Sequence, residues 1–144
     1  MRHSVLIIDD DKLSMKYYRT ALETEGFEVA QVCDPDGAIK YLSSEQNRRP
    51  DVIVLDIMLP TGDRYFGKPE SWEGLRTGIL LYPEIKTQCP KVPIVVLTNV
   101  ANPDIVAALP PGVRVYNKTD IAPFDLAAAL NRHIQEGEAE QFSR

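Results

Sequence analysis

The sequence predicts an α/β protein with an open, doubly wound parallel sheet. Short apolar runs alternate with longer segments of helical periodicity along the 144 residues. This alternation is typical of parallel strands that are joined by right-handed helical crossovers. Three of the runs are almost continuously apolar, which indicates strands that helices cover on both faces.

Five strands are expected, and the apolar runs place them at residues 5–8, 27–32, 51–55, 93–98 and 113–116. The first helix is predicted between Lys12 and Glu25, with Asp11 as its N-cap and Gly26 as its stop signal. Its helical periodicity is carried by Leu13, Tyr17, Ala21 and Leu22. The second helix begins after Asp34, the predicted N-cap, with Pro35 at the first helical position.

Three helices are expected in the second half of the chain. The third covers about residues 74–88, and Pro83 within it is expected to kink or divide it. A short fourth helix begins at Asn102 and Pro103, and a fifth runs from about Pro123 to Gln135. Residues 137–144 are polar and are expected to form a flexible C-terminal tail.

Composition excludes several classes of protein. The net charge of −5 and the absence of a Lys/Arg cluster argue against a nucleic-acid groove or an anionic membrane as the main partner. No apolar run approaches the ~20 residues that span a bilayer, and the N-terminus lacks a signal peptide. Cys33 and Cys89 are too few and too far apart for a disulfide framework, so we expect reduced thiols in a cytoplasmic protein.

Polar side chains stand at the ends of four predicted strands. Asp9 and Asp10 follow the first strand, Asp56 follows the third, Thr98 ends the fourth and Lys118 follows the fifth. In open α/β sheets, ligands bind beyond the carboxyl ends of the strands. If these strands are neighbours, three carboxylates, a hydroxyl and an ammonium share one small pocket.

This combination favours phosphoryl chemistry assisted by a metal. Clustered carboxylates raise one another's pKa, and a divalent cation relieves their repulsion. Hard oxygen ligands in a small site favour Mg²⁺. An aspartate beside such a metal can attack a phosphoryl group, while a lysine and a hydroxyl neutralise and orient its oxygens.

Four motifs, in order, resemble the receiver domain of two-component response regulators: VLIIDDDKLS, DVIVLDIMLP, VPIVVLTN and VYNKTD. The resemblance covers residues 4 to about 136, so that residues 1–136 form one receiver domain. It implies a flavodoxin-like (βα)5 three-layer sandwich whose five parallel strands are ordered 2-1-3-4-5.

The resemblance also implies which residues act. Asp56 is the phosphoacceptor and a ligand of Mg²⁺, Asp10 is a direct metal ligand, and Asp9 binds the metal largely through water. The backbone carbonyl of Met58 is a further ligand.

Thr98 is implied to be the switch hydroxyl and Lys118 the lysine that pairs with the phosphate. A sensor histidine kinase or a phosphotransfer protein is the expected phosphodonor, and a downstream effector protein the expected target. The chain is expected to act as a stand-alone receiver, without direct DNA or membrane binding. It is not expected to be an enzyme beyond its own phosphorylation and dephosphorylation, and dimerisation upon phosphorylation is left open.

One departure from the family pattern is an insertion after Pro60, residues 61–77, hereafter the inserted segment. Loops of this length are uncommon and usually functional. Because it follows the Asp56 strand, it is expected to control access of the phosphodonor or to form a partner-specific surface. Its aromatic residues, Tyr65, Phe66 and Trp72, indicate a local core or a binding surface.

Further departures surround the lysine. Receivers usually have proline after it, whereas Thr119 follows Lys118 here, which leaves the path of this loop open. The family's aromatic switch position is Val115, and the neighbouring Tyr116 is expected to face the other side of the sheet. Asn99, where small residues are usual, is expected to narrow the mouth of the pocket.

Two other classes of protein are alternatives to a phosphorylated receiver. A pseudo-receiver, which keeps the fold as a phosphorylation-independent binding module, remains open because of Thr119 and Val115. A phosphatase of the haloacid dehalogenase type would need a second aspartate two residues after the nucleophile, and that residue is Met58.

Overall fold

The computed structural model describes residues 2–100 and 102–142, and side chains to residue 139. Five strands alternate with five helices, as predicted. The strands are β1 (Ser4–Ile8), β2 (Glu28–Val32), β3 (Val52–Leu55), β4 (Ile94–Thr98) and β5 (Arg114–Asn117). The helices are α1 (Lys12–Thr24), α2 (Pro35–Ser43), α3 (Thr77–Gln88), α4 (Pro103–Val106) and α5 (Pro123–Phe142).

The sheet is entirely parallel and its strand order is β2-β1-β3-β4-β5. This confirms the doubly wound, flavodoxin-like prediction. One face packs with α2 and α3 in a core that includes Leu6, Ile53 and Val96. The other face packs with α1 and α5 in a core that includes Ile7, Val54 and Leu97. Alternate residues of each strand therefore enter opposite cores.

The start of α1 agrees with the prediction, and so do Ala21 and Leu22 on its buried face, but the first half of that face does not. Asp11 caps the helix by accepting a hydrogen bond from the Ser14 amide, and Gly26 follows it at φ +95°. The predicted face included Leu13 and Tyr17, which are 81% and 72% exposed. The buried residues are instead Met15, Tyr18, Ala21 and Leu22.

The prediction for α3 is wrong at its start, and Pro83 does not divide the helix. Trp72, Glu73 and Gly74 all have positive φ angles, so a right-handed helix cannot begin until after them, and α3 starts at Thr77. The helix runs through Pro83 without division. The carbonyl of Pro83 accepts a hydrogen bond from the Thr87 hydroxyl.

The prediction for the C-terminus is also wrong, because α5 continues beyond Gln135 to Phe142. Gly137 weakens a helix by about 1 kcal/mol relative to alanine, yet the residues after it are mostly good helix formers. Of the predicted tail, residues 137–142 are therefore helical, and residues 143–144 lie outside the described part.

The inserted segment contains little regular structure. It includes one short 3-10 turn at Pro69–Ser71 and ends in the first residue of α3. Tyr65 is buried in the α2/α3 core, whereas Phe66 is 82% exposed and Trp72 is about half exposed. Tyr65 therefore enters a core, whereas a binding role for the exposed Phe66 and Trp72 stays a prediction. No helix among the described residues is long and apolar enough to cross a membrane.

Candidate functional site

The carboxyl ends of β1, β3, β4 and β5 bring four of the predicted side chains together. Asp56 follows β3, whose register with β1 pairs Ile8 with Leu55, so Asp9 and Asp56 emerge side by side. Thr98 ends β4 and is fully buried, and the Lys118 amide after β5 donates to the Thr98 carbonyl at 3.0 Å. We call Asp9, Asp56, Thr98 and Lys118 the strand-end pocket.

One ammonium group serves two carboxylates in this pocket. Lys118 Nζ lies 2.7 Å from Asp9 Oδ2 and 3.3 Å from Asp56 Oδ2. The Lys118 side chain is only 8% exposed, and both aspartates are buried. Buried ion pairs are screened little by water, so the two negative charges and the one positive charge interact strongly.

The pKa values of the two aspartates reflect their burial and their shared counter-ion. Burial, together with the charge of Asp56, raises the pKa of Asp9 from 3.8 to about 6 against the opposing effect of Lys118. Burial also raises the pKa of Asp56, although Lys118 and the Thr98 hydroxyl oppose this.

Lys118 responds in the opposite direction. Burial alone lowers the pKa of Lys118, but its hydrogen bond to Asp9 and the charges of both aspartates outweigh burial, and the net shift is upward. The ammonium therefore stays charged while the carboxylates remain under-compensated. Such a pocket favours the gain of a proton or of a further cation.

Asp56 is oriented by contacts on its other oxygen. The Met58 amide donates to Asp56 Oδ1 at 3.2 Å, which leaves Oδ2 for Lys118. The Thr98 hydroxyl accepts a hydrogen bond from the Val100 amide at 3.2 Å. One oxygen of Asp56 is thus held by the backbone, and the other faces the ammonium.

Asp10 lies outside this group. It is exposed, and no hydrogen bond or ion pair of the described residues joins it to the pocket. Asp9, the first residue after β1, takes the buried position instead, and its Oδ1 accepts from the Asp11 amide. The role of Asp10 as a metal ligand stays a prediction.

The donor set suits Mg²⁺ in its chemistry but is not assembled as a complete site. Asp9 and Asp56 present hard oxygens next to one another, and Lys118 Nζ lies between them as a cation would. Within residues 2–100 and 102–142, no group of three or more His, Cys, Asp or Glu side chains stands close enough to hold a metal ion. The roles of Asp10 and of the Met58 carbonyl as further ligands stay predictions.

The turn after β5 is held by hydrogen bonds that the sequence did not indicate. The Tyr18 hydroxyl lies 3.0 Å from the Lys118 carbonyl and 2.7 Å from the Ile121 carbonyl. Asn117 Oδ1 accepts hydrogen bonds from the amide and the hydroxyl of Thr119. The spacing of Met15, Tyr18 and Leu22 was the available signal for the buried face of α1.

Tyr116 and Val115 face opposite sides of the sheet, as predicted. Tyr116 pairs with Leu97 and lies on the α1/α5 side, whereas Val115 pairs with Val96 on the other side. The Tyr116 hydroxyl lies 2.9 Å from His133 Nε2.

The inserted segment is connected to the pocket through the backbone. The Gly78 amide at the start of α3 donates to the Ile57 carbonyl at 2.8 Å, and the Leu59 amide donates to the Gly74 carbonyl at 3.1 Å. A Cβ at Gly78 would lie 2.3 Å from the Asp56 carbonyl oxygen. The ends of the segment therefore rest directly on the residues that follow Asp56.

Comparison with known proteins supports one family. The family model of the response regulator receiver domain matches residues 5–131. The chain is 28% identical to the DNA-binding response regulator MtrA of Mycolicibacterium smegmatis, over 97% of this chain and 54% of MtrA. It is 30% identical to the KDP operon transcriptional regulatory protein KdpE of Escherichia coli, over 90% of this chain and 52% of KdpE.

Solved structures agree on the fold. A CheY-like response regulator receiver domain protein from Methanospirillum hungatei superposes with a TM-score of 0.73 at 22% identity, over 97% of this chain and 99% of that one. NtrX from Brucella abortus superposes with a TM-score of 0.77 at 25% identity, over 99% of this chain and 29% of NtrX. The chain thus spans about half the length of MtrA and KdpE, and less of NtrX.

Proposed function

The chain belongs to the response regulator receiver domain family, and we propose that it receives a phosphoryl group on Asp56. The observation that carries this proposal is the buried Asp56 carboxylate, which shares the Lys118 ammonium with Asp9. Two carboxylates that share one ammonium are stabilised by a second cation, and by a reaction that spreads their negative charge.

In the proposed reaction, a carboxylate oxygen of Asp56 attacks the phosphorus of a phosphohistidine on a kinase or phosphotransfer protein. An O–P bond forms as the P–N bond breaks, and the leaving imidazole keeps the electron pair of that bond and takes up a proton. Lys118 Nζ then pairs with a phosphoryl oxygen in place of the Asp56 oxygen. The Thr98 hydroxyl, which accepts from the Val100 amide and lowers the pKa of Asp56 by hydrogen bonding, would donate to another phosphoryl oxygen.

Mg²⁺ fits this role through Asp9 and Asp56, with Asp10 and the Met58 carbonyl as additional ligands. When bound, it would neutralise charge on the transferring phosphoryl group. The chain's own contribution is to hold the Asp56 carboxylate with the Met58 amide and to exclude bulk water by burial.

The test is phosphorylation by a small phosphodonor. The protein is incubated with Mg²⁺ and acetyl phosphate, and its intact mass is measured. Wild type is expected to gain one phosphoryl group that is labile to hydroxylamine, and Asp56→Asn is expected to gain none. Asp104→Asn, an exposed aspartate on α4, is the matched control and should behave as wild type.

A second candidate function is a pseudo-receiver that binds partners without phosphorylation. The observation that favours it is the exposed Asp10, together with the lack of a three-carboxylate group in the described residues. The same experiment separates the two functions. Wild type that gains no phosphoryl group and does not respond to beryllofluoride would favour the pseudo-receiver.

The output of the switch is proposed to be a protein contact. Phosphorylation would bias a two-state surface formed by β4, β5 and their helices, and Val115 on that surface is partly exposed. MtrA is named as a DNA-binding response regulator, whereas the contact proposed for this chain is with a protein. Pull-downs with phosphorylated and unphosphorylated protein would identify the effector and any phosphorylation-dependent dimer.

A further inference from the structure

The structure contains a hydrogen-bond bridge from α1 to the turn that carries Lys118. Tyr18 lies on α1 with its ring in the α1/α5 core and only 7% of its surface exposed. Its hydroxyl is 3.0 Å from the Lys118 carbonyl and 2.7 Å from the Ile121 carbonyl. A hydroxyl has one hydrogen to donate, so it bonds to one carbonyl at a time while contacting both.

Three groups hold the backbone around Lys118 by hydrogen bonds. The Thr98 carbonyl at the end of β4 accepts from the Lys118 amide. Within the turn, Asn117 Oδ1 accepts from the Thr119 amide at 2.8 Å and from the Thr119 hydroxyl at 2.7 Å. The third group is the Tyr18 hydroxyl, which comes from a different layer of the protein.

Small displacements of this turn matter because the lysine has little spare distance. Lys118 Nζ is 2.7 Å from Asp9 Oδ2 but already 3.3 Å from Asp56 Oδ2. Charge-assisted hydrogen bonds are usually 2.7–2.9 Å long, so the contact with Asp56 is the weaker of the two. An outward movement of the Lys118 backbone would weaken it first.

The bridge also connects the two ends of the pocket. α1 begins directly after Asp9 and is capped by Asp11, whose amide donates to Asp9 Oδ1 at 2.8 Å. Tyr18 lies on that helix and contacts the turn of Lys118. A single helix therefore fixes the position of one carboxylate and of the ammonium that pairs with it.

We infer that Tyr18 is a positioning residue for Lys118, and that its hydroxyl keeps the ammonium within reach of Asp56 during phosphoryl transfer. This inference rests on the proposed function for its consequence in phosphorylation, but not for its structural part. A packing role alone would need only the aromatic ring, which phenylalanine also supplies.

The experiment compares Tyr18→Phe with Tyr17→Phe. Tyr17 is the neighbouring tyrosine on the same helix, but it is 72% exposed, which makes it a matched control. Tyr18→Phe is expected to slow phosphorylation by acetyl phosphate with Mg²⁺, and to weaken beryllofluoride binding, by about three- to tenfold per folded molecule. Tyr17→Phe is expected to leave both unchanged.

A second measurement does not depend on phosphorylation. The Asp9 carboxyl carbon is titrated by NMR in wild type and in both variants. The hydrogen bond from Lys118 lowers the pKa of Asp9. If the ammonium moves away from Asp9 in Tyr18→Phe, this pKa is expected to rise, whereas it should stay constant in Tyr17→Phe. A purely structural role would lower the melting temperature without moving this titration.

The outcomes separate the two proposals. If wild type is phosphorylated, and Tyr18→Phe matches it in rate and in the Asp9 titration, the inference about Tyr18 is overturned. If wild type is not phosphorylated at all, the proposed function fails, and the Asp9 titration alone then decides whether Tyr18 positions Lys118.

Discussion

The strand-end pocket and the inserted segment are joined through the residues that follow Asp56, but they are held in place in different ways. The pocket side chains follow strands whose pairing is set by the whole sheet. The inserted segment is held by individual contacts. Arg64 binds both carboxylate oxygens of Glu84, the Tyr65 hydroxyl also bonds to Glu84, and the Asp63 amide donates to Asp36.

The two regions also differ in charge. Arg64 of the inserted segment and Glu84 of α3 form one ion pair near the surface, and such pairs contribute little to stability. In the pocket, two buried carboxylates share one ammonium. Changes in the pocket should therefore affect folding and phosphorylation together, whereas surface changes in the segment should leave folding and phosphorylation by acetyl phosphate nearly unchanged.

The largest effect is expected for Lys118→Ala. It leaves Asp9 and Asp56 buried without a counter-ion, which should lower the free energy of unfolding by about 3 kcal/mol and slow phosphorylation by about 100-fold. The control is Lys16→Ala, an exposed lysine on α1. Chemical denaturation and the acetyl phosphate assay measure the two effects.

The stability loss in Lys118→Ala should shrink in acid. Because the folded-state pKa of Asp9, about 6, lies above its ordinary value of 3.8, the folded protein binds more protons than the unfolded chain between these values. Wild-type stability therefore rises as pH falls through about 6. Lys118 lowers the pKa of Asp9, so this pKa is higher still in Lys118→Ala, and the variant gains more stability in acid than wild type does. A loss of the same size at pH 7.5 and pH 5 would contradict the assignment of this effect to the carboxylates.

Gly78→Ala tests the connection between the two regions. Its Cβ would meet the Asp56 carbonyl at 2.3 Å and the Ile57 Cα at 2.6 Å, so backbone must move. We expect a loss of about 2 kcal/mol in stability and slower phosphorylation. Gly137→Ala is the control, because nothing lies within 4 Å of its Cβ and alanine should stabilise α5 by about 0.5–1 kcal/mol. Equal effects of the two variants would show that the close contact is not rigid.

Asp56→Asn should stabilise the protein in the absence of Mg²⁺. It removes one of two negative charges that share one ammonium, and we expect a gain of about 1 kcal/mol at pH 7.5. The gain should diminish toward pH 5, because the raised pKa values of both aspartates let wild type relieve the same repulsion by protonation. Thermal unfolding at the two pH values measures it, and a variant less stable than wild type at pH 7.5 would count against the excess charge.

The smallest effect is expected for Phe66→Ser in the inserted segment. Phe66 is 82% exposed, so the free energy of unfolding should change by less than about 0.5 kcal/mol. If the segment is a partner surface, capture of the cognate effector or kinase should weaken while phosphorylation by acetyl phosphate stays at the wild-type rate. A change in that rate would instead support control of phosphodonor access.

The pocket could be predicted from sequence because parallel strands present their carboxyl ends at one edge of the sheet. The apolar runs before Asp56 and Thr98 therefore placed both residues without any knowledge of contacts. Lys118 was also placed correctly, although it is followed by threonine.

The remaining features depend on single contacts that periodicity does not report. The exposure of Asp10 depends on which of two adjacent aspartates turns inward after β1. The late start of α3 depends on three consecutive positive φ angles. The contact of Tyr18 with Lys118 joins residues 100 positions apart, and nothing in either local sequence points to the other.

The competition of two buried carboxylates for one ammonium can be measured by an NMR titration of the Asp9 carboxyl carbon in wild type and in Asp56→Asn. We expect a pKa of about 6 for Asp9 in wild type. We expect a lower value in Asp56→Asn, because the repulsion from Asp56 is gone while burial remains. A pKa near the ordinary value of 3.8, or a value that does not change in the variant, would contradict the claim that two buried carboxylates compete for the Lys118 ammonium.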